Sequence, residues 1–269
     1  MIIRSSESSW SLQPGELWQH RELLYFLAWR DIKVRYKQTV LGVLWAVIQP
    51  LGIALTLSIF LGHLVKVPSE GLPYLVFAYA GMVVWQLFAN ALSETSGSLV
   101  INQQLITKVY FPRLIVPMSS VVASLLDFTI GLFLLVPILI YYRVAPTVNL
   151  IILPFMVFQA VLIALGVGLW LGALNVKYRD VRYTVSFLVQ LWFLATPIAY
   201  PASVVPEHWR LLYAFNPMVG VVEGFRWALR GNGDAPVLLL TVSFCVTLAI
   251  LISGVYYFRR TEDTFADFI

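Results

Sequence analysis

Six long apolar runs dominate the chain, at about 41–63, 72–93, 117–142, 149–174, 184–201 and 236–258. A helix needs about 20 apolar residues to cross roughly 30 Å of hydrocarbon, so each run predicts a membrane span. The fifth is the shortest and carries Pro197 and Pro201. Two other stretches break the pattern. Residues 16–37, ELWQHRELLYFLAWRDIKVRYK, are too charged to span yet keep helical periodicity. Tyr25, Trp29, Ile32 and Tyr36 make one apolar-aromatic stripe, and Arg30, Lys33 and Lys37 make a cationic one. Such a helix lies in the interface plane, aromatics at headgroup depth and basic groups toward anionic lipid, each contributing about 1 kcal/mol. Between spans five and six, two semi-apolar pieces, 208–215 and 218–230, are split by Asn216-Pro217. Each is too short to cross. The pair predicts a helix-break-helix dipping into the outer leaflet, where irregular backbone is tolerated beside a cavity or protein.

Composition sharpens this picture. The 269 residues are 59% hydrophobic and 12% charged, with mean hydropathy +0.81, about half the charge of a soluble domain. The net charge of +4 is spread between the apolar runs instead of forming one patch, which fits headgroup contact and topology setting and argues against nucleic acid as a partner. Lys66, Arg143, Arg210, Arg226 and Arg230 fall on one side of the six predicted spans, and the other 13 of the 18 Lys and Arg on the opposite side. That bias places both termini in the cytoplasm. The first twenty residues lack the apolar core of a signal peptide, so the first span is expected to serve as the targeting signal.

Candidate chemistry is sparse. Cys245 stands alone, so neither an intrachain disulfide nor a cysteine metal cluster is available, and no metal site is expected. GxxxxGK[ST], HExxH and GxSxG are absent, so any ATP must be bound by another chain. His20, His63 and His208 sit in separate segments without a catalytic partner, which argues against an intramembrane glycosyl- or acyltransferase. The missing internal repeat argues against a secondary transporter. Asp127 lies near the middle of span three, where a carboxylate costs about 2.5–3.5 kcal/mol. With no Lys, Arg or His in another span's core, its expected role is structural hydrogen bonding.

The stretch LLYFLAWRDIKVRYKQTVLGVLWAVIQPL, Leu23 to Leu51, carries the pattern RD-x-K-x-RY-x-x-(S/T)-x-LG-x-x-W-x-x-x-x-P and resembles the opening of permease subunits of ABC-2 polysaccharide exporters, the transporters for O-antigen, teichoic acid and capsule. KVYFPRLIVP (Lys108 to Pro117), GALNVKYRDVRY (Gly172 to Tyr183), TPIAYP (Thr196 to Pro201) and NPM (Asn216 to Met218) resemble later segments of the same family. The likeness runs from about residue 17 to 258. It implies an all-α membrane protein of the ABC-2 exporter fold: an N-terminal tail (1–15), a cytoplasmic interface helix (16–38), a transmembrane domain (39–260) with six transmembrane helices and a re-entrant helical hairpin between spans five and six, and a cytoplasmic C-terminal tail (261–269).

The same resemblance implies a multi-pass permease of the inner (cytoplasmic) membrane. It would form a homodimer in the lipid bilayer, with two copies of a separate ABC ATPase subunit holding ATP and Mg and no cofactor on this chain. The substrate would be an undecaprenyl-diphosphate-linked glycan, O-antigen by overall likeness. Teichoic acid or capsular polysaccharide is the alternative, and an ABC-2 drug or lipid exporter a remoter one. Arg30, Asp31, Lys33, Arg35 and Tyr36 are read either as a plain basic anchor or, by the resemblance, as a surface packing on the ATPase beside the glycan entrance. Lys108, Tyr110, Phe111, Pro112 and Arg113 are an ordinary cytoplasmic loop or a coupling helix seated in the ATPase. Trp45, Gln49, Trp85, Phe88, Phe193 and Tyr200 are packing groups or, as a set, channel-lining platforms on which sugar rings slide through their apolar C–H faces. Glu223 and Arg226, three apart, are a solvated helix pair or, with Asn216 and Pro217, an exit gate.

Overall fold

The computed structural model describes residues 14–37, 42–231, 233–262 and 264–265. Most of the expected N-terminal tail, the link 38–41 between interface helix and first span, and the last four residues lie outside the described residues. Every described element is helical. Short α1 (Pro14–Gln19) leads into α2 (Arg21–Lys37), followed by α3 (Leu44–Leu57), α4 (Tyr74–Ile101), α5 (Gln103–Lys108), α6 (Ile115–Tyr141), α7 (Leu153–Lys177), α8 (Val181–Ala195), α9 (Glu207–Ala214), α10 (Pro217–Arg230) and α11 (Val237–Glu262).

Among the described residues five helices are long and apolar enough to cross a membrane: Leu44–Leu64, Tyr74–Ile101, Ile115–Tyr141, Val148–Lys177 and Val237–Glu262. The expected fifth span is instead the 15-residue α8, about 22 Å long at 1.5 Å per residue. It stops at Ala195 because Pro197 cannot continue a helix and disfavours helical backbone at the residue before it. In α3 the helix runs through Pro50, which is buried, and widens into a π-helical turn over Ser58–Leu64. Lacking an N–H, Pro50 cannot bond the carbonyl four residues back.

α4 is the hub. In its most apolar stretch 83% of residues are buried, against 11% for Leu44–Leu64 and 17% for α11. It packs on α3, α6, α7, α8 and α10. Between lipid-facing helices hydrophobicity gives no net drive, so close backbone approach through small residues holds the bundle. α7 and α11 show this at Gly166 and Gly254: a Cβ on Gly254 would stand 2.2 Å from the Gly166 carbonyl oxygen. Trp170 stacks on Tyr257 at 4.1 Å nearby.

α9 and α10 form a helical hairpin turning at Phe215–Asn216. α10 lies inside the bundle, its Gly220 N–H donating to Ser243 Oγ of α11 at 3.1 Å. Its end is closed by Gly231, whose left-handed backbone (φ 72°) and contact with Thr147 leave no room for a Cβ.

Candidate functional site

Two ends of the bundle carry the polar chemistry. At the α5 end, α2 climbs the groove between α4 and α6. Leu27 joins Ile115, Val116 and Leu99 in one buried cluster. A turn later Arg30 Nη2 donates to Asn102 Oδ1 at 2.6 Å, after bonding its neighbour Asp31 at 2.7 Å. Higher still, Arg35 Nη2 meets Glu94 Oε1 at 2.9 Å while Nη1 and the Tyr36 hydroxyl both donate to Asp127. The lone carboxylate of α6 thus takes its partners from outside the spans. A buried charge needs both a counter-ion and hydrogen bonds, and Asp127 has them. The aromatic stripe expected on α2 leaves Tyr25 and Trp29 exposed. A further face, Leu27, Ala28, Asp31 and Arg35, joins the helix to the bundle. Lys33 stays exposed, 5.2 Å over the Trp29 ring.

Beside this cluster is a cleft of about 200 Å³ lined by Arg35, Tyr36, Trp45, Gln49, Gln86, Asn90 and Asp127 among others. Trp45 and Gln49 are exposed on it. Gln86 Nε2 donates to Asn90 Oδ1 at 2.8 Å, and among the described residues no protein group meets the remaining amide atoms of this pair. The expected channel set divides here. Trp85 and Phe88 are buried and, with Phe193 and Trp192, form an α4–α8 aromatic core with ring centroids 4.9–5.6 Å apart. Tyr200 lies at the opposite end, its hydroxyl 3.1 Å from that of Tyr213. The sequence reading passed over Gln86 and Asn90, whose signal was two amides four apart in an apolar run.

The segment after α5 presents Lys108 and Val109 to solvent and Tyr110 in full, whereas Phe111 is buried. Pro112 is half-buried at the turn into α6. Arg113 points back into the chain. Its N–H reaches Glu262 Oε1 at 3.2 Å, its guanidinium donates to the Glu262 carbonyl, and its charge lies 5.9 Å over the ring of Phe265. Phe265 is buried against Phe258. The end of the chain therefore braces this segment, leaving Tyr110 as its free apolar tip.

At the α9–α10 end, Asn216 ties three elements together. Its Oδ1 accepts from Trp192 Nε1 at 2.7 Å and from Met218 N–H at 3.1 Å, and its Nδ2 donates to the Ala195 carbonyl and Thr196 Oγ1, both at 3.1 Å. Two donors and two acceptors saturate the amide. Pro217 occupies the first helical position, where its missing N–H costs nothing. Glu223 and Arg226 are 7% and 3% exposed, which rules out a solvated pair. Arg226 bonds Glu223 Oε1 at 3.2 Å, the Phe77 carbonyl at 3.1 Å, the Ile198 carbonyl at 2.6 Å and the Pro197 carbonyl, with its guanidinium carbon 3.4 Å over the Phe77 ring. It pins α10 to α4 and to the Thr196–Tyr200 turn. Burial, and the bond to Tyr200, push the Tyr213 hydroxyl above the ordinary phenol range, so it stays protonated.

A sequence profile of the ABC-2 type transporter family matches residues 22–229. The chain is similar to the O-antigen export system permease protein RfbA of Myxococcus xanthus, 30% identical over 252 residues covering 92% of this chain and 96% of that one. It is 28% identical to RfbA of Klebsiella pneumoniae over 92% of this chain and 95% of the relative. The polysialic acid transport protein KpsM of Escherichia coli is 22% identical over 87% and 91% respectively. With the profile covering most of its length and, among the described residues, five helices long and apolar enough to cross a membrane, the chain belongs to the ABC-2 type transporter family.

Proposed function

We propose that this chain is the membrane subunit of an ATP-driven exporter that carries an undecaprenyl-diphosphate-linked polysaccharide, O-antigen first, across the inner membrane. The observation that carries the reading is the near end-to-end likeness to O-antigen export permeases. The cleft beside Trp45 supports it, because an exposed indole, amides and a carboxylate match the C–H faces and hydroxyls of a sugar. Two copies of the chain form the conduit, and two copies of a separate ATPase, holding ATP and Mg, sit beneath it at the α5 end in the cytoplasm, where both termini also lie.

In this mechanism Tyr110 and Lys108 meet the ATPase, and the buried Phe111 behind them anchors their segment to the bundle. Arg30, Arg35 and Tyr36 convert movement of α2 into movement of α4 and α6, because their bonds join those three helices, while Asp31 holds Arg30 in place. Arg35 is committed to Glu94 and Asp127, so the pyrophosphate head falls to the exposed Lys33 and Lys37. Asn216, Pro217, Glu223 and Arg226 hold the outer gate.

Deleting the gene should trap undecaprenyl-linked glycan inside the cell and strip the surface of it. Intact surface glycan without build-up removes the export role. Capsular polysaccharide is the second reading, supported by the likeness to KpsM. The chemical identity of the trapped glycan decides between them. Recovery of the chain from native membranes without any ATP-binding protein, in several detergents, would remove the ABC partnership.

A further inference from the structure

At the α9–α10 end a second cavity, of about 490 Å³, is enclosed by the loop before α4, by α9, by α10 and by the start of α11. It shares no residue with the cleft at Trp45, and it falls within the range of small-molecule sites, on the order of 300–1,000 Å³. Its chemistry follows from which polar groups are already used. Three arginines line it. Arg226 spends its donors on Glu223 and four carbonyls. Arg230 is paired with Glu70 at 2.8 Å, where Glu70 holds a left-handed backbone (φ 53°). Arg210 Nε donates to the Val205 carbonyl at 3.2 Å, and its Nη1 stands 3.6 Å from Glu207 Oε1.

The carboxylates are less occupied. Glu223 is more than nine-tenths buried, and its Oε1 accepts from the Ala202 N–H at 3.1 Å and from Arg226. Among the described residues no donor meets its Oε2, nor the exposed Asp234, and both residues line the cavity. A cavity whose cations are neutralised and whose free groups are acceptors takes hydroxyl donors and rejects phosphate, since an anion would face carboxylates without a free guanidinium. Tyr213 and Trp227 add ring surface to the wall, suited to the C–H face of a pyranose.

Resting on the permease reading above, we propose that this cavity is an outer glycan-binding site that holds a neutral sugar unit of the exported chain, separate from the cleft at Trp45. Holding the emerged chain there opposes its backsliding between ATPase cycles.

The test uses the permease–ATPase complex in nanodiscs, with short oligosaccharides released by mild acid from the host's own surface polysaccharide, read by saturation-transfer NMR. Binding is expected that excess inorganic phosphate does not displace. Asp234→Asn and Glu223→Gln should each weaken it about fivefold, the loss of one hydrogen bond, and Ser203→Trp, which fills the mouth, should abolish it. Unchanged affinity in all three variants, displacement by phosphate, or no binding to the wild type overturns the proposal. Co-purification of the ATPase and the melting temperature check folding, and Asp234→Asn, at an exposed position, reports even if a buried variant misfolds. Vesicles of the wild-type complex separate the two readings: transport of lipid-linked glycan without oligosaccharide binding sinks the outer site alone, whereas no transport sinks the permease reading itself.

Discussion

Two of the arginine–carboxylate clusters among the described residues, one toward each end of the bundle, are built on opposite plans. Arg226 and Glu223 sit three residues apart on one helix, and the guanidinium is enclosed by backbone carbonyls of two other segments. Arg35 reaches Glu94 and Asp127 on two different helices, and its cluster stays partly open, with side-chain exposures of 26%, 45% and 11%. The first is a pin: it fixes a hairpin to the hub and offers one fixed geometry. The second is a joint, in which side chains alone connect three helices and the contact stays partly uncovered. Buried charge with backbone partners makes a rigid closure. Half-exposed charge between side chains permits motion at lower cost.

The sharpest way to break the comparison is at the pin. Arg226→Leu should cost about 3–5 kcal/mol, because it strands a buried carboxylate and the Phe77, Pro197 and Ile198 carbonyls. Loss of folded protein in detergent, or a large fall in melting temperature, measures it. Adding Glu223→Leu should restore little, since the carbonyls stay unpaired. Full recovery in the double variant would show that only the ion pair matters. At the joint, Arg35→Leu should cost about 2 kcal/mol, and Asp127→Leu should recover most of it. Export should fall further than stability does, and equal losses would reduce the joint to ordinary packing.

Asn216→Ala removes three hydrogen bonds that tie the hairpin to α8 and the turn after it, and the cap of α10 itself. About 1–2 kcal/mol of destabilisation is expected, read by thermal melting. The brace of the segment after α5 gives a smaller thermodynamic signal with a larger functional one. Glu262→Ala should change stability by less than about 1 kcal/mol, while ATP hydrolysis continues and glycan export drops. Tightly coupled hydrolysis in that variant would remove the C-terminal brace from the mechanism. Least of all should stability respond to Trp45→Ala, within about 0.5 kcal/mol at this exposed position. Export should decline, and unaltered transport would take Trp45 off the glycan's path.

These contrasts track what was legible along the chain. Apolar runs report spans because hydrocarbon admits only apolar helices of sufficient length, and four of the five long helices fall where they were expected with similar bounds. The break after Ala195 was announced by its prolines. The hairpin turn was announced by Asn216-Pro217. The pairing of Glu223 with Arg226 was visible from a spacing of three, but not its burial, because spacing places groups on a helix face without saying what covers that face. Asp127 shows the opposite failure. Its need for a partner was plain from its surroundings, yet Arg35 lies 92 residues away in a segment read as surface. Trp85 and Phe88 had the periodicity of a lining face and became core because Trp192 and Phe193 close over them.

The sequence by itself determined the medium, the positions of the five long apolar helices, the break before Pro197 and the family, while the fifth of its six expected spans became the 15-residue α8. Each depends on local composition, proline geometry or a contiguous motif, which tertiary contacts do not alter. Tertiary structure alone decided which charges are pinned, which are joints and which polar groups remain for a ligand. Those properties belong to pairs of residues distant in the chain, and a hydrogen bond once made inside the protein is withdrawn from everything outside it.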